Sequence, residues 1–89
     1  MITIEVEVIN RAGLHTRPAA NVVKITSKYK SEVYIEKDNF RINGKSIIGV
    51  MTLAAEMGSK LTFEIEGSDE NEMAKEIEEL FKSGFGEPV

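Results

Sequence analysis

The sequence predicts an α+β fold in which helices cover one face of an antiparallel sheet. Segments 2–9, 31–37 and 60–67 alternate apolar and polar residues with a period of two, as strands with one side on a core do. Two longer segments carry apolar residues at helical spacing. Turn residues between alternating segments favour hairpins, which give antiparallel sheets with one face in water.

Four strands are expected, at 2–9, 31–37, 40–43 and 60–67. Asp38 and Asn39 are turn residues, so the second and third strands should form a hairpin. Alternation places one set of apolar side chains on a common face. That set is Ile4, Val6, Val8, Val33, Ile35, Leu61, Phe63 and Ile65.

Three helices are expected between and after the strands. The first extends from about Thr16 to Lys28, and the second, capped by Ser46, covers about Ile47 to Leu53. The third begins at Ser68 or Asp69 and ends near Lys82.

The third helix has further local signals. Asp69 and Glu72 have capping-box spacing, and Glu76, Glu78 and Glu79 are expected on a solvated face. The tail 84–89 is expected to be loosely ordered. The element order is therefore βαββαβα, which the residues alone do not separate from a ferredoxin-like βαββαβ unit with an added helix.

Size and composition narrow the function classes. With 89 residues the chain should form a single domain, 1–89. No cysteine is present, which excludes disulfides and thiolate chemistry, and one histidine leaves little for metal binding. A net charge of −4 argues against general nucleic-acid binding. No segment approaches the roughly 20 apolar residues of a membrane span, so we expect a cytoplasmic protein without membrane insertion.

The single histidine lies just before the first predicted helix. Gly13 permits a tight turn there, and Pro18 favours a first helical turn. Free N–H groups at a helix start attract anions, and Arg17 adds a planar cation. Because neutral imidazole is a nucleophile near pH 7, His15 is a candidate phosphoryl acceptor as well as an ordinary capping residue.

Two motifs together resemble one family. They are GLHTRPAA at 13–20 and GKSIIGVMTLA at 44–54. They resemble the active-centre and regulatory-serine segments of HPr, the histidine-containing phosphocarrier of the bacterial sugar phosphotransferase system, and the resemblance covers essentially the whole chain. It implies an open-faced β-sandwich with strand order 1-4-2-3 and three helices on one face.

The resemblance also implies a reaction. His15 would accept a phosphoryl group on Nδ1 from phosphorylated enzyme I and pass it to enzyme IIA components, with Arg17 and helix amides stabilising the phosphate. Such a protein is a carrier and not an independent enzyme. Nucleotide-binding glycine loops are absent, so no cofactor is expected and phosphate should come from a protein. Thr16 replaces the alanine common in the family, so we expect its hydroxyl either to form a local capping bond or to touch the phosphate, and rates to change.

A second, regulatory site is implied at Ser46. By itself Ser46 reads as a helix cap. The resemblance implies phosphorylation there by an ATP-dependent HPr kinase/phosphorylase, lower transfer to His15, and recruitment of a catabolite-control repressor. The apolar residues of the short helix after Ser46 are explained equally well by packing in the core and by docking of partners. The resemblance favours docking. The implied partner-binding residues are Thr16, Arg17, Ala20, Val23, Lys24, Lys45, Ile47, Ile48 and Met51.

Three other functions stay open at this point. A carrier for a nitrogen-related phosphotransfer branch is the nearest alternative to a sugar-system carrier. A purely regulatory homologue controlled through Ser46 need not retain His15. A ferredoxin-like interaction or RNA-binding module is disfavoured by the acidity and by the absence of aromatic stacking motifs. A monomer is expected, and the sequence does not identify the sugar.

Overall fold

Seven helices and strands follow one another in the computed structural model, which describes residues 1–89. In chain order they are β1 (Ile2–Glu7), α1 (Thr16–Thr26), β2 (Glu32–Lys37), β3 (Phe40–Asn43), α2 (Ile47–Thr52), β4 (Lys60–Glu66) and α3 (Glu70–Lys82). A short 3₁₀ turn, Gly84–Gly86, follows α3. The predicted order βαββαβα is confirmed, and the predicted ends are shifted by at most two residues.

The four strands form one antiparallel sheet in the order β1-β4-β2-β3. Register places apolar residues opposite one another, so Ile4 lies across from Phe63, and Phe63 lies across from Ile35. Since side chains alternate between faces, this register puts all three on the same side of the sheet. The strand order implied by the family resemblance is confirmed.

All three helices lie on that apolar side. α3 contacts β1 and β4, α1 contacts both other helices, and α2 contacts β3. The sheet contributes fully buried Phe63, Ile35, Leu61 and Ile65, and α3 contributes Ile77. The core that results is a single cluster of 18 buried residues. Removal of this apolar surface from water is the main favourable term in folding.

The opposite face of the sheet remains in water. There the Arg41 guanidinium stacks 4.4 Å above the Tyr34 ring centroid, and its Nη1 lies 2.9 Å from Glu64 Oε1. Cross-strand contacts of this kind stabilise a solvated sheet face modestly. No helix combines the length and the apolar composition that crossing a bilayer requires.

One prediction about α3 is wrong, and another is confirmed at only two of its three residues. Asp69 precedes the helix but caps nothing, because its carboxylate instead accepts hydrogen bonds from the Ser31 hydroxyl and from the amides of Lys30 and Ser31. These bonds lower the pKa of Asp69, the Ser31 hydroxyl contributing most. Glu78 and Glu79 are exposed, as predicted. Glu76 is half-buried instead, pairs with Lys28 at 2.8 Å and accepts a hydrogen bond from the Tyr29 hydroxyl. The carboxylates of Asp69 and Glu76 both connect α3 to the segment after α1.

The expectation of a loose tail is also wrong. Phe85 is only 6% exposed, and its ring makes an edge contact with Phe81 at a centroid distance of 4.9 Å. Phe85 itself adopts a positive φ of 60°, between two glycines that also have positive φ. The amide of Arg11 then donates to the carbonyl of Pro88 at 2.9 Å. Burial of an aromatic ring offsets the entropy lost when the tail is ordered.

Replacement of Phe85 tests this docking. We expect Phe85→Ala to lower the free energy of unfolding by about 3 kcal/mol, since it removes a buried ring. Phe40→Ala is the matched control. Phe40 is 50% exposed, so its replacement should lower the free energy of unfolding by about 1 kcal/mol or less. Urea unfolding of both variants measures the difference, and equal losses would contradict a docked tail.

Candidate functional site

The loop between β1 and α1 is anchored to the segment after α2. Gly13 has φ of +74°, and a Cβ on it would lie 2.8 Å from the carbonyl oxygen of Ala55. The next amide, that of Leu14, donates to the same oxygen at 2.9 Å. Asn10 closes the loop from within by donating from Nδ2 to the Gly13 carbonyl at 2.8 Å. A glycine is therefore required where the chain turns into α1.

His15 is the N-cap residue of α1, as the sequence predicts. Its backbone is extended, its side chain makes no capping bond, and its carbonyl accepts the first helical hydrogen bond from Ala19 at 3.0 Å. The amides of Thr16 and Arg17 have no helical acceptor by position, and Pro18 has no N–H to leave unpaired. The start of α1 thus presents two amides and the positive end of the helix dipole beside an exposed imidazole.

A carboxylate from the tail contacts the ring of His15. Nε2 of His15 lies 3.1 Å from both Oε1 and Oε2 of Glu87. Arg17 binds the same carboxylate, with both Nε and Nη2 at 3.2 Å from Oε2. Asn10 Nδ2 donates to Oε1 at 2.9 Å. Three side chains from the loop and from α1 therefore converge on Glu87, and Nδ1 of His15 makes none of these contacts.

Exposure differs sharply among these groups. The side chains of His15 and Arg17 are 44% and 65% exposed, whereas that of Glu87 is 8% exposed. The pKa of Glu87 is lowered, first by the hydrogen bond with His15 and then by the Asn10 bond and nearby cationic charge, against an opposing effect of burial. Glu87 is consequently ionised at neutral pH. The imidazole remains open to a partner.

Ser46 caps α2, as the sequence predicts. Its hydroxyl accepts a hydrogen bond from the amide of Gly49 at 3.0 Å. In the helix that follows, only Val50 is buried. Ile47, Ile48 and Met51 are 42%, 76% and 41% exposed. These three residues, hereafter the α2 patch, are not core residues.

The other predicted partner-binding residues differ in accessibility. Thr16 and Lys24 are exposed, and Ala20 and Val23 are half-buried. Lys45 is half-buried as well, and its Nζ donates to the carbonyl of Tyr29 at 2.8 Å. Its ammonium group therefore links two loops and is less available to a partner than that of Lys24.

Sequence reasoning missed Glu87 and Asn10. Glu87 lies 72 residues from His15 in the chain, so no local spacing connects them. Phe85, a large apolar residue between two glycines, was the only sign that the tail docks. Asn10 directly follows the first predicted strand, 2–9, and belongs to no motif, although it is fully buried.

Comparison with known proteins agrees with this geometry. A family model described as the PTS HPr component phosphorylation site matches residues 2–83. The chain belongs to the HPr family. Members of this family are phosphocarriers of the phosphotransferase system, so the protein is a carrier and not an independent catalyst.

Individual relatives match nearly the whole length of this chain. The phosphocarrier protein HPr of Treponema pallidum is 45% identical over 87 residues, which are 98% of this chain and 99% of that protein. The crystal structure of HPr-C-His from Thermoanaerobacter tengcongensis superposes with a TM-score of 0.95 at 42% identity and covers 100% of both chains. The relatives matched by sequence and by structure agree on the fold and on the family.

A third similar structure differs in assembly. Crh of Bacillus subtilis, described as a catabolite repression protein and a swapped dimer, is 35% identical with a TM-score of 0.71. It covers 100% of this chain, and 99% of that chain is matched. A protein similar to this one thus forms a dimer, which bears on the expectation of a monomer.

Proposed function

We propose that this protein accepts a phosphoryl group on His15 from phosphorylated enzyme I and donates it to enzyme IIA components. The chief support is the position of the only imidazole, which is exposed at the first turn of α1 with Arg17 beside it. A helix start with a guanidinium stabilises phosphate oxygens. The family supplies the phosphocarrier role.

The transfer step needs no group other than the imidazole and the donor. The lone pair of Nδ1 attacks phosphorus while the bond from phosphorus to the donor group of enzyme I breaks, and its electron pair goes to that donor. The reverse sequence at enzyme IIA regenerates His15. Arg17 and the amides of Thr16 and Arg17 lower the barrier by facing the phosphoryl oxygens as charge redistributes. The exposed Thr16 hydroxyl can also reach these oxygens.

We propose further that Ser46 is a regulatory site. Its hydroxyl is at the start of α2 and is only half-buried, so a kinase can reach it and the helix tolerates added negative charge. The α2 patch next to Ser46 provides the apolar docking surface for enzyme I and enzyme IIA. Lys24 supplies a cation at its margin, and Lys45 contributes little. Control by HPr kinase/phosphorylase and a catabolite-control repressor is consistent with similarity to Crh.

We also propose a domain organisation, an assembly state and a location for the protein. The chain acts as one domain, 1–89, and works as a monomer in the cytoplasm, where it meets its protein partners. A monomer leaves both His15 and the α2 patch accessible. Light scattering at working concentration distinguishes it from a swapped dimer of the kind described for Crh.

Replacement of His15 tests the central proposal. We expect His15→Ala to abolish uptake of phosphate from enzyme I and phosphoenolpyruvate, because the nucleophile is gone, while the free energy of unfolding changes by about 1 kcal/mol or less. Intact mass and acid lability of the product measure uptake. Phosphate uptake by the folded variant would assign the reaction to another residue.

Arg17 should affect the rate but not the covalent bond. We expect Arg17→Ala to slow uptake on the order of 100-fold, as loss of one electrostatic donor does. Single-turnover transfer from phosphorylated enzyme I provides the rate. An unchanged rate in a folded variant would mean that helix amides and partner groups are sufficient.

Ser46→Asp tests the regulatory site. Aspartate also caps helices, so the fold should persist, but the new charge beside the α2 patch should reduce kcat/KM with enzyme I by about 10-fold at low salt. Added salt should diminish that effect, given a screening length of about 8 Å at physiological ionic strength.

Ser46→Ala is the control for this variant. It should lose about 1 kcal/mol of stability with the cap and should keep its transfer rate. If the Ser46→Asp variant and the protein phosphorylated at Ser46 both transfer phosphate at the rate of the unmodified protein, Ser46 is a cap only.

A further inference from the structure

The carboxylate of Glu87 contacts the nitrogen of His15 that the proposed reaction does not phosphorylate. Both of its oxygens lie 3.1 Å from Nε2. Glu87 belongs to neither of the sequence motifs at 13–20 and 44–54. The motifs therefore do not account for this contact.

The position of Glu87 is determined by several contacts. Asn10 Nδ2 binds Oε1 at 2.9 Å, and Arg17 binds Oε2 at 3.2 Å. The buried ring of Phe85 anchors the backbone two residues earlier. Asn10 is itself completely buried, so the carboxylate is held from a rigid part of the loop. The side chain of Glu87 is accordingly only 8% exposed.

A carboxylate at this distance selects one form of the ring. Ionised carboxylates only accept hydrogen bonds, so Nε2 is the donor, and in the neutral ring the lone pair is then on Nδ1. The lowered pKa of Glu87 is consistent with this arrangement. When Nδ1 then forms its bond to phosphorus, the proton stays on Nε2 and the ring becomes cationic. The negative charge of Glu87 lies directly against that new positive charge.

We propose that Glu87 is a positioning residue that holds His15 as the Nε2–H tautomer and stabilises the cationic ring formed when Nδ1 accepts the phosphoryl group. The kinetic part of this role rests on the proposed function. Arg17 also binds Glu87, and its positive charge balances the carboxylate before the phosphoryl group arrives. The tail is thus a component of the site although it lies far from it in sequence.

Nitrogen-15 NMR of the His15 ring, recorded on the full chain at alkaline pH, tests the tautomer without any partner protein. We expect Nε2–H to dominate in the unmodified protein. In Glu87→Gln the amide can either donate or accept, so the preference should be lost and Nδ1–H should rise to a comparable population. Glu79→Gln is the matched control, since Glu79 is an exposed carboxylate of α3, and it should leave the tautomer unchanged.

Transfer rates from enzyme I complete the test. Glu87→Gln should be slower by roughly 10-fold, at the low end of what loss of the hydrogen-bond partner of a metal-ligating histidine costs, and Glu87→Asp should recover part of the rate. Equal tautomer populations in the unmodified protein and Glu87→Gln would overturn the proposal even if transfer proceeds normally. A shifted tautomer with an unchanged rate would overturn its kinetic part. No uptake in any variant, including Glu79→Gln, would instead overturn the proposed function.

Discussion

The structure depends on a sheet with one apolar face. Register aligns Ile4, Phe63 and Ile35 on that face, so every helix must lie on the same side to remove it from water. Because β4 pairs with β1, the segment before β4 lies beside the loop after β1. The close approach of Gly13 to Ala55 follows, and it directs the chain into α1 with His15 at the first turn. The geometry of the site is therefore a consequence of sheet coverage.

Sequence predicted those features that depend on near neighbours in the chain. Period-two and helical patterns locate the strands and helices, and capping preferences place His15 and Ser46 at helix starts. Strand order came from the family resemblance, since alternation does not specify which strands pair. The capping box at Asp69 was wrong because the Ser31 hydroxyl and two amides compete for the same carboxylate. Glu87 was missed because its partners are about seventy residues away.

The sequence favours core packing and partner docking equally for the apolar residues of the short helix α2, and the structure distinguishes between them. A helix of six residues can bury little, and Val50 occupies its one buried position. Ile48 is consequently 76% exposed, with Ile47 and Met51 beside it. A contiguous apolar surface of this kind on a small protein favours an interaction role. Ser46 caps the same helix, so a charge added there would change the potential of this exposed apolar surface without disturbing the core.

A carrier has to release what it accepts, and the electrostatics of the site suit that requirement. Burying His15 and Arg17 would strengthen every interaction with the phosphoryl group, but tight binding of the phosphorylated state would slow its onward transfer. Both side chains are instead substantially exposed, which leaves part of the stabilisation to whichever partner covers them. The one well-shielded charge is that of Glu87, and it acts on the ring rather than on the phosphate. When the bond from phosphorus to Nδ1 breaks in a ring that carries the Nε2 proton, neutral imidazole departs, and it is a better leaving group than imidazolate. The carboxylate that accepts the Nε2–H hydrogen bond and favours attack by Nδ1 therefore also favours departure at the next protein.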